Sequence, residues 1–296
     1  MKRVAIAGAS GFIGDYLSSF LTSQGWKVVT IGRSNADATW TDQSSLVRVL
    51  EETNAVINLA GKSVNCRFTA RNVQELIDSR VETTRALGEA IELCKNPPRT
   101  WVNASGASIY PETIGNANTE DSATTGKGTM ADVARLWEEA LVGANTPQTK
   151  KVALRITLVL GAGGGVYPTF RFLTRTFQGG TQGSGTQMMS WIHIHDLCRM
   201  ILALIENSNP PSVLNAAAPK PLSNAHFMRH FRESLGVGFG FNAPAALIKI
   251  GTAVLGVDSE LVLRGMNVVS SSAELMEFEF HYPDLASALR QLADKG

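Results

Sequence analysis

Gly8, Gly11 and Gly14 recur every three residues, directly after the apolar run Val4–Ala7 and at the start of an amphipathic stretch. Glycine answers three needs in such a turn. The first permits a tight bend, the second lets backbone approach a pyrophosphate, and the third lets helix and strand pack closely. The N–H groups at a helix start, together with the positive end of its dipole, stabilise phosphate oxygens. A glycine triplet alone is a weak signal. Between a strand and a helix it predicts a pyrophosphate site built from Gly8, Ser10, Gly11, Phe12, Ile13 and Gly14.

The next apolar run, Val28–Ile31, is followed by Gly32-Arg33-Ser34. Sites that prefer NAD place a carboxylate here for the ribose hydroxyls. No acid stands in these three positions, and Arg33 offers a guanidinium fork for a 2′-phosphate. One charge-assisted hydrogen bond is worth roughly 1.5–3 kcal/mol, about one to two orders of magnitude in affinity, so NADP(H) is the expected cofactor. The competing reading of Arg33 is a solvated loop arginine. Asn58-Leu59-Ala60-Gly61 ends the run Ala55–Leu59 with small residues, which leaves a nucleotide room to cross a sheet or simply closes a strand.

Other groupings carry less. His193-x-His195, with one nearby carboxylate, lacks the ligand count of a metal centre, and no metal is expected. His193 is expected to fix a loop near the cofactor, and Asp196 to cap the following helix. Trp191 and the glycines from Gly179 to Gly185 are expected to shape a pocket lid, and Met188-Met189 to pack.

The elements that would position these residues alternate. Val4–Ala7, Val28–Ile31, Ala55–Leu59, Trp101–Ala104 and Val152–Ile156 read as buried strands. Helices are expected from Phe12 to Leu21, ended by Gly25, and over Val73–Leu93 and Met130–Val142. This is the signature of an α/β fold, a Rossmann-like doubly wound parallel sheet. After Leu160 the texture becomes glycine-rich around a helix at Thr169–Phe177. A helix (Leu197–Glu206), a strand (Val213–Ala216), and shorter pieces such as Ala245–Leu255 and Asp284–Leu292 follow. The expected division is a Rossmann domain of residues 1–160 plus about 190–218, with 161–189 and 219–296 forming a smaller C-terminal α+β lobe.

A chain of 296 residues with 44% hydrophobic and 18% charged residues can bury a full core. Its net charge of +1 supplies no basic field for nucleic acid. Three scattered cysteines form no C-x-x-C pair, no signal peptide is evident and no apolar run is long enough to cross a bilayer. The expectation is a cytoplasmic protein with a small-molecule substrate and no nucleic-acid or membrane partner.

The glycine turn with Asn58–Gly61 resembles the extended short-chain dehydrogenase/reductases. Ser190-Trp191-Ile192-His193-Ile194-His195-Asp196 is similar to the segment before a late Rossmann helix in nucleotide-sugar epimerases. A closer resemblance is to the branch called the epimerase family, which ends in a small domain of unknown function. Its marks are Asp78-Ser79-Arg80-Val81 with Thr83-Thr84, Gly183-Ser184-Gly185, Asn215 to Pro221 with Asn224, Pro244–Leu255 and Phe278–Leu289. The resemblance spans essentially the whole chain. It implies an NADP(H) site lined by Gly32-Arg33, Asn58-Leu59, Arg80 and the backbone near Leu158. Arg80 would then contact a phosphate or the nicotinamide side, against the plainer reading of a helix-surface arginine.

The same resemblance raises the question of catalysis. The wider superfamily moves its proton with a Tyr-x-x-x-Lys pair. In register with Trp137-Glu138, that pair should fall at Met130 and Ala134, so both residues are missing, and Lys127 lies too early. Asn103, Ser105, Ser108 and Tyr110 remain nearby. Ser105 could hydrogen-bond a substrate carbonyl. Tyr110 could couple to its proton or stand as an aromatic in the pocket wall. Two functions stay open. One is an NADP-dependent oxidoreductase or epimerase acting on a small carbonyl or nucleotide-linked sugar. The other is a non-catalytic NADPH-binding sensor or regulator, which the missing Tyr and Lys favour and to which the cell-division-inhibitor labels of some relatives add little.

Overall fold

A computed structural model describes residues 2–294. Met1, Lys295 and Gly296, the outermost residues of the expected lobes, lie outside the described residues. The chain opens with β1 (Arg3–Ala7), α1 (Phe12–Ser23), β2 (Lys27–Gly32), β3 (Ala38–Thr39), α2 (Gln43–Leu50) and β4 (Ala55–Asn58). It continues through α3 (Ala70–Glu92), β5 (Thr100–Gly106), α4 (Thr129–Val142), β6 (Lys150–Ile156), β7 (Leu158–Gly161) and β8 (Gly164–Gly165). Next come α5 (Tyr167–Arg175), β9 (Met188–Met189), β10 (Trp191–His193), α6 (Ile194–Glu206), β11 (Val213–Ala216) and β12 (Leu222–Ser223). The last elements are α7 (Asn224–Ser234), α8 (Ala245–Leu255), α9 (Glu260–Leu263), α10 (Ser271–Leu275) and α11 (Leu285–Asp294).

Seven strands form one sheet in the order β11-β6-β5-β4-β1-β2-β3, every neighbouring pair parallel. Ala5 stands between Val29 and Val56, which places β1 inside the sheet, between β2 and β4. The chain first winds outward from β1 through β2 to β3, then returns to β4 on the other side, so the order reverses between β1 and β4. Such a reversal leaves a crevice beyond the strands' carboxyl ends.

Apolar side chains cover both faces. Leu17 and Leu21 of α1 pack with Leu197, Ile201 and Leu204 of α6 on one face. The opposite face meets Leu46 and Leu50 of α2, Leu87 and Ile91 of α3, and Leu141 of α4. This is the expected doubly wound α/β sheet, with its five expected strands in place. A third cluster joins Leu160, Tyr167, Met189, Trp191, Phe227, Phe231 and Leu289 from β7, α5, β9, β10, α7 and α11.

Several local expectations are corrected. Trp191 is fully buried in that third cluster, so its indole packs the core and shapes no lid. The Gly161–Gly165 run is the β7–β8 hairpin rather than open loop. A Cβ on Gly164 would come within 2.5 Å of the Phe12 ring, so the missing side chain is the seat of that phenyl group. His193, not Asp196, caps α6, and its ring accepts from the His195 N–H at 3.1 Å. The helix therefore begins three residues earlier than expected. Asp196 instead turns inward, fully buried, and accepts from the N–H groups of His281 and Tyr282 at 3.0 and 2.9 Å.

Candidate dinucleotide site

The crevice at the order reversal is bordered by the glycine turn after β1 and the Asn58–Gly61 turn after β4. Gly8 has φ +81°, the left-handed region that glycine enters without steric cost. A Cβ there would lie 2.9 Å from the Leu59 carbonyl. One on Gly14 would collide with the Gly8 oxygen. The turn and α1 can therefore close onto each other only as glycine. Gly11 caps α1 without a side-chain bond, so the first-turn N–H groups remain available to a ligand.

A cavity of about 460 Å³ opens from this turn. Gly8, Gly11, Phe12, Ile13 and Gly14 line its α1 side, and Leu59, Ser63, Val64 and Arg80 its β4–α3 side. Ser105, Gly106 and Ser108 follow β5, while Met130, Val133, Ala134 and Trp137 project from α4. A larger groove of about 600 Å³ lies between α3 and α4, but none of the turn residues lines it. The glycine turn opens only onto the smaller of these two cavities.

The remaining expected residues sit around this wall rather than on it. Ser10 is exposed on the turn. Gly32 and the exposed Arg33 end β2, which the Gly8 N–H ties to the turn through the Ile31 carbonyl at 3.1 Å. Leu158 begins β7, its N–H on the Ser190 carbonyl at 3.2 Å, and its neighbours Thr157 and Val159 reach the cavity instead. Gly61 lies against the Arg80 guanidinium.

Asn58 is fully buried, and of the expected Asn58-Leu59 pair it is Leu59 that lines the cavity. Its amide nitrogen donates to Thr84 and Asn103 at 3.1 and 2.7 Å, and its oxygen accepts from the Ala60 N–H at 3.1 Å. Asn58 thus holds the Leu59–Ala60 backbone in position beneath the cavity. Thr84 also accepts from the Trp137 indole at 3.0 Å, which joins α3, β4, β5 and α4 in one buried polar cluster. Arg80 is 8% exposed and donates to the Leu76 and Lys62 carbonyls at 3.0 and 3.1 Å. Its guanidinium carbon stands 5.0 Å from the Trp137 ring centre.

Ser105 and Tyr110 belong to a second network that the sequence did not reveal. Ser105 Oγ donates to Glu138 Oε1 at 2.7 Å. Arg155 Nε and Nη2 each reach one oxygen of the same carboxylate at 2.8 Å, a bidentate pair almost closed to solvent. Arg155 Nη1 donates to the Tyr110 hydroxyl at 2.5 Å, which in turn donates to Asn215 Oδ1 at 3.0 Å. Burial works against the charge of Arg155, but the Glu138 hydrogen bonds and charge outweigh it and raise its pKa. Burial also raises the Tyr110 pKa, against the opposing pull of Arg155.

Tyr110 is therefore a protonated tyrosine with its hydroxyl occupied, and it does not line the cavity. A catalytic part for Tyr110 would have to be played from outside that cavity. Glu138 and Arg155 were missed because their partners are far away in sequence. The available signal was a charged residue inside the otherwise apolar stretch Val152–Ile156 of β6. His193 faces a separate cavity of about 180 Å³ with Asp15, Tyr16 and Gln291, and its Nε2 meets Gln291 Oε1 at 3.0 Å. The cofactor-side loop role expected for His193 is corrected accordingly.

The chain is similar to known proteins over nearly its whole length. Residues 4–217 match the NAD dependent epimerase/dehydratase family, and residues 243–292 match a domain of unknown function, DUF1731. Epimerase family protein YfhF of Bacillus subtilis is 31% identical over 300 residues, covering 98% of this chain and 97% of that protein. Epimerase family protein SDR39U1 of Homo sapiens is 30% identical over 296 residues, covering 98% and 99%. The crystal structure of human SDR39U1 isoform 2 with NADPH superposes with a TM-score of 0.91 at 30% identity, over 99% of this chain and 100% of that one. A nucleoside-diphosphate sugar epimerase from Corynebacterium glutamicum superposes with a TM-score of 0.79 at 25% identity, over 99% of this chain and 58% of that one. The chain belongs to the NAD dependent epimerase/dehydratase family, in the branch whose members carry a C-terminal DUF1731 domain.

Proposed function

We propose that the chain binds NADP(H) across the β1/β4 crevice and acts as an oxidoreductase- or epimerase-like protein on a small carbonyl compound or nucleotide-linked sugar. One observation carries this reading. The uncapped first turn of α1 opens onto the cavity and is tied to the end of β2, where Arg33 stands exposed. The human relative crystallised with NADPH supports the choice of cofactor. The Corynebacterium relative's description as a nucleoside-diphosphate sugar epimerase keeps nucleotide sugars among the candidate substrates.

When bound, the nicotinamide would give or take a hydride beside Ser105. The hydrogen of Ser105 is committed to Glu138, a carboxylate that can only accept. Ser105 therefore presents its lone pairs to the cavity, which suits a substrate hydroxyl better than the carbonyl first envisaged. Met130 and Ala134, the positions at which the resemblance would put the superfamily's tyrosine and lysine, both line the cavity. None of the four tyrosines, at positions 16, 110, 167 and 282, is followed four residues later by lysine. On this reading the proton comes from water rather than from a tyrosine.

Those same two apolar side chains favour a second reading, in which the protein binds NADPH without turning over a substrate. Titration of the chain with NADPH and NADH, followed by the fluorescence of the reduced nicotinamide, tests the binding claim. NADPH is expected to bind at least about tenfold tighter than NADH, with the preference lost in Arg33→Ala. Equal affinities would defeat the 2′-phosphate assignment. NADPH oxidation against a library of carbonyls and nucleotide sugars then separates enzyme from sensor.

A further inference from the structure

Arg80 is the single ionisable side chain on the wall of the main cavity, among the described residues. Around it the wall is apolar, with Val64, Met130, Val133 and Ala134. The guanidinium is held on both sides. Trp137 lies under it at 5.0 Å, and Gly61 lies against it so closely that a Cβ there would stand 3.1 Å from the guanidinium carbon. Two of its five N–H groups donate to the Leu76 and Lys62 carbonyls, which leaves three without an acceptor among the described residues. No carboxylate among the described residues forms an ion pair with it. Burial lowers its pKa to about 10, against a smaller opposing pull from Cys66, so the group stays charged at neutral pH.

A buried cation with no counter-charge is costly unless something anionic joins it. Arg80 reaches the cavity from α3, on the sheet face opposite α1, whose N-terminal turn is the pyrophosphate cradle. The two anion-binding features thus stand on different walls of one cavity. A planar guanidinium fixed between an indole and a glycine matches the planar fork of a carboxylate.

We propose that Arg80 is the receptor for a carboxylate on the substrate, and that the site takes a carboxylate-bearing carbonyl or hydroxy compound. The inference rests on the NADP(H) reading for the far end of the cavity. It also explains how a wall that otherwise offers only hydroxyls and apolar groups can orient a ligand.

Calorimetric titration of the full chain with benzoate, with and without saturating NADP⁺, tests the proposal. The variants are Arg80→Gln, which removes the charge and keeps donors for the two carbonyls, and Arg80→Lys, which keeps the charge. The wild type is expected to bind benzoate. Arg80→Gln should weaken it at least about tenfold and Arg80→Lys by about threefold or less, with NADPH affinity within about threefold throughout. The thermal midpoint of Arg80→Lys serves as the folding reference. Benzoate binding that is unchanged in Arg80→Gln overturns the proposal. So does a wild type that binds NADPH but no benzoate. A loss of NADPH affinity in Arg80→Gln as large as the loss for benzoate would assign the guanidinium to a cofactor phosphate and overturn it as well. Arg80-dependent benzoate binding in a chain that ignores NADPH would instead defeat the dinucleotide reading and leave the carboxylate site standing.

Discussion

Glu120 illustrates how much a single side chain carries away from the cavity. It accepts from the Asn215 N–H at 2.7 Å, the Ser270 hydroxyl at 2.7 Å, and the Ser271 N–H and hydroxyl, both at 2.8 Å. Burial pushes its pKa up, but the hydrogen bonds from Asn215, Ser270 and Ser271 prevail and hold it below the usual carboxylate value. A carboxyl depressed in the folded state stabilises the fold above its unfolded pKa, and loses that contribution as pH falls through the folded value. Glu120→Gln is therefore expected to cost about 1–3 kcal/mol at pH 7. The gap to the wild type should close as urea titrations move to acid pH, below the ordinary glutamate pKa of about 4.3. A gap that stays constant with pH would rule out the ionised carboxylate as the source. The Ser105–Glu138–Arg155 group makes a different demand. Glu138→Gln leaves the Arg155 charge buried and unpaired, and is expected to destabilise the fold by about 3–5 kcal/mol, as chemical denaturation would show.

At the scale of elements, what could be read from the sequence was what chain neighbours decide. Gly8, Gly11 and Gly14 announce themselves because strand, turn and helix are contiguous, and the periodic apolar faces of α1, α3 and α4 place those helices within a few residues. The short α2 escaped notice, although Asp42 caps it through the Ser45 N–H and Leu46, Val49 and Leu50 form its buried face. Eight residues leave little room for periodicity to stand out. Asp196 misled for another reason, since an aspartate near a helix start looks like a cap until its distant partners, the His281 and Tyr282 N–H groups, are known. The partners of Tyr110 and Asn58 are equally invisible along the chain, because Arg155, Asn215 and Asn103 come from other strands. The α1 tip yields its own prediction. Gly8→Ala forces a side chain into the left-handed region and against the Leu59 carbonyl. Backbone strain of about 1–3 kcal/mol is expected, together with loss of most NADPH affinity. Calorimetry and NADPH titration read the two effects, and an alanine variant that binds normally would separate the turn from the cofactor.

Taken as a whole, the molecule is tied together across its length by contacts that meet at the cavity rim. Arg264 Nη2 donates to the Ser108 and Tyr110 carbonyls at 2.8 and 3.1 Å, and its Nη1 pairs with Glu260 at 3.2 Å. Glu260 in turn accepts from the Met130 N–H at 3.3 Å, at the start of α4. Asn118 donates to the Asn267 carbonyl from both backbone and side chain, and the Ser190 hydroxyl exchanges hydrogen bonds with Met266 and Val268. The segment matched by DUF1731 thus braces the turn after β5 and the head of α4, two of the cavity walls. If that bracing matters, the sheet and the C-terminal segment should melt together. Arg264→Ala removes a charged donor from two buried carbonyls and should cost about 1–3 kcal/mol, a fall in thermal midpoint of several degrees for a chain of this size. It should also speed hydrogen exchange at residues 107–110 and 129–131 rather than at α11. Two separate melting transitions in the wild type, or exchange that rises only within 243–292, would show that the C-terminal segment rests on the site without organising it.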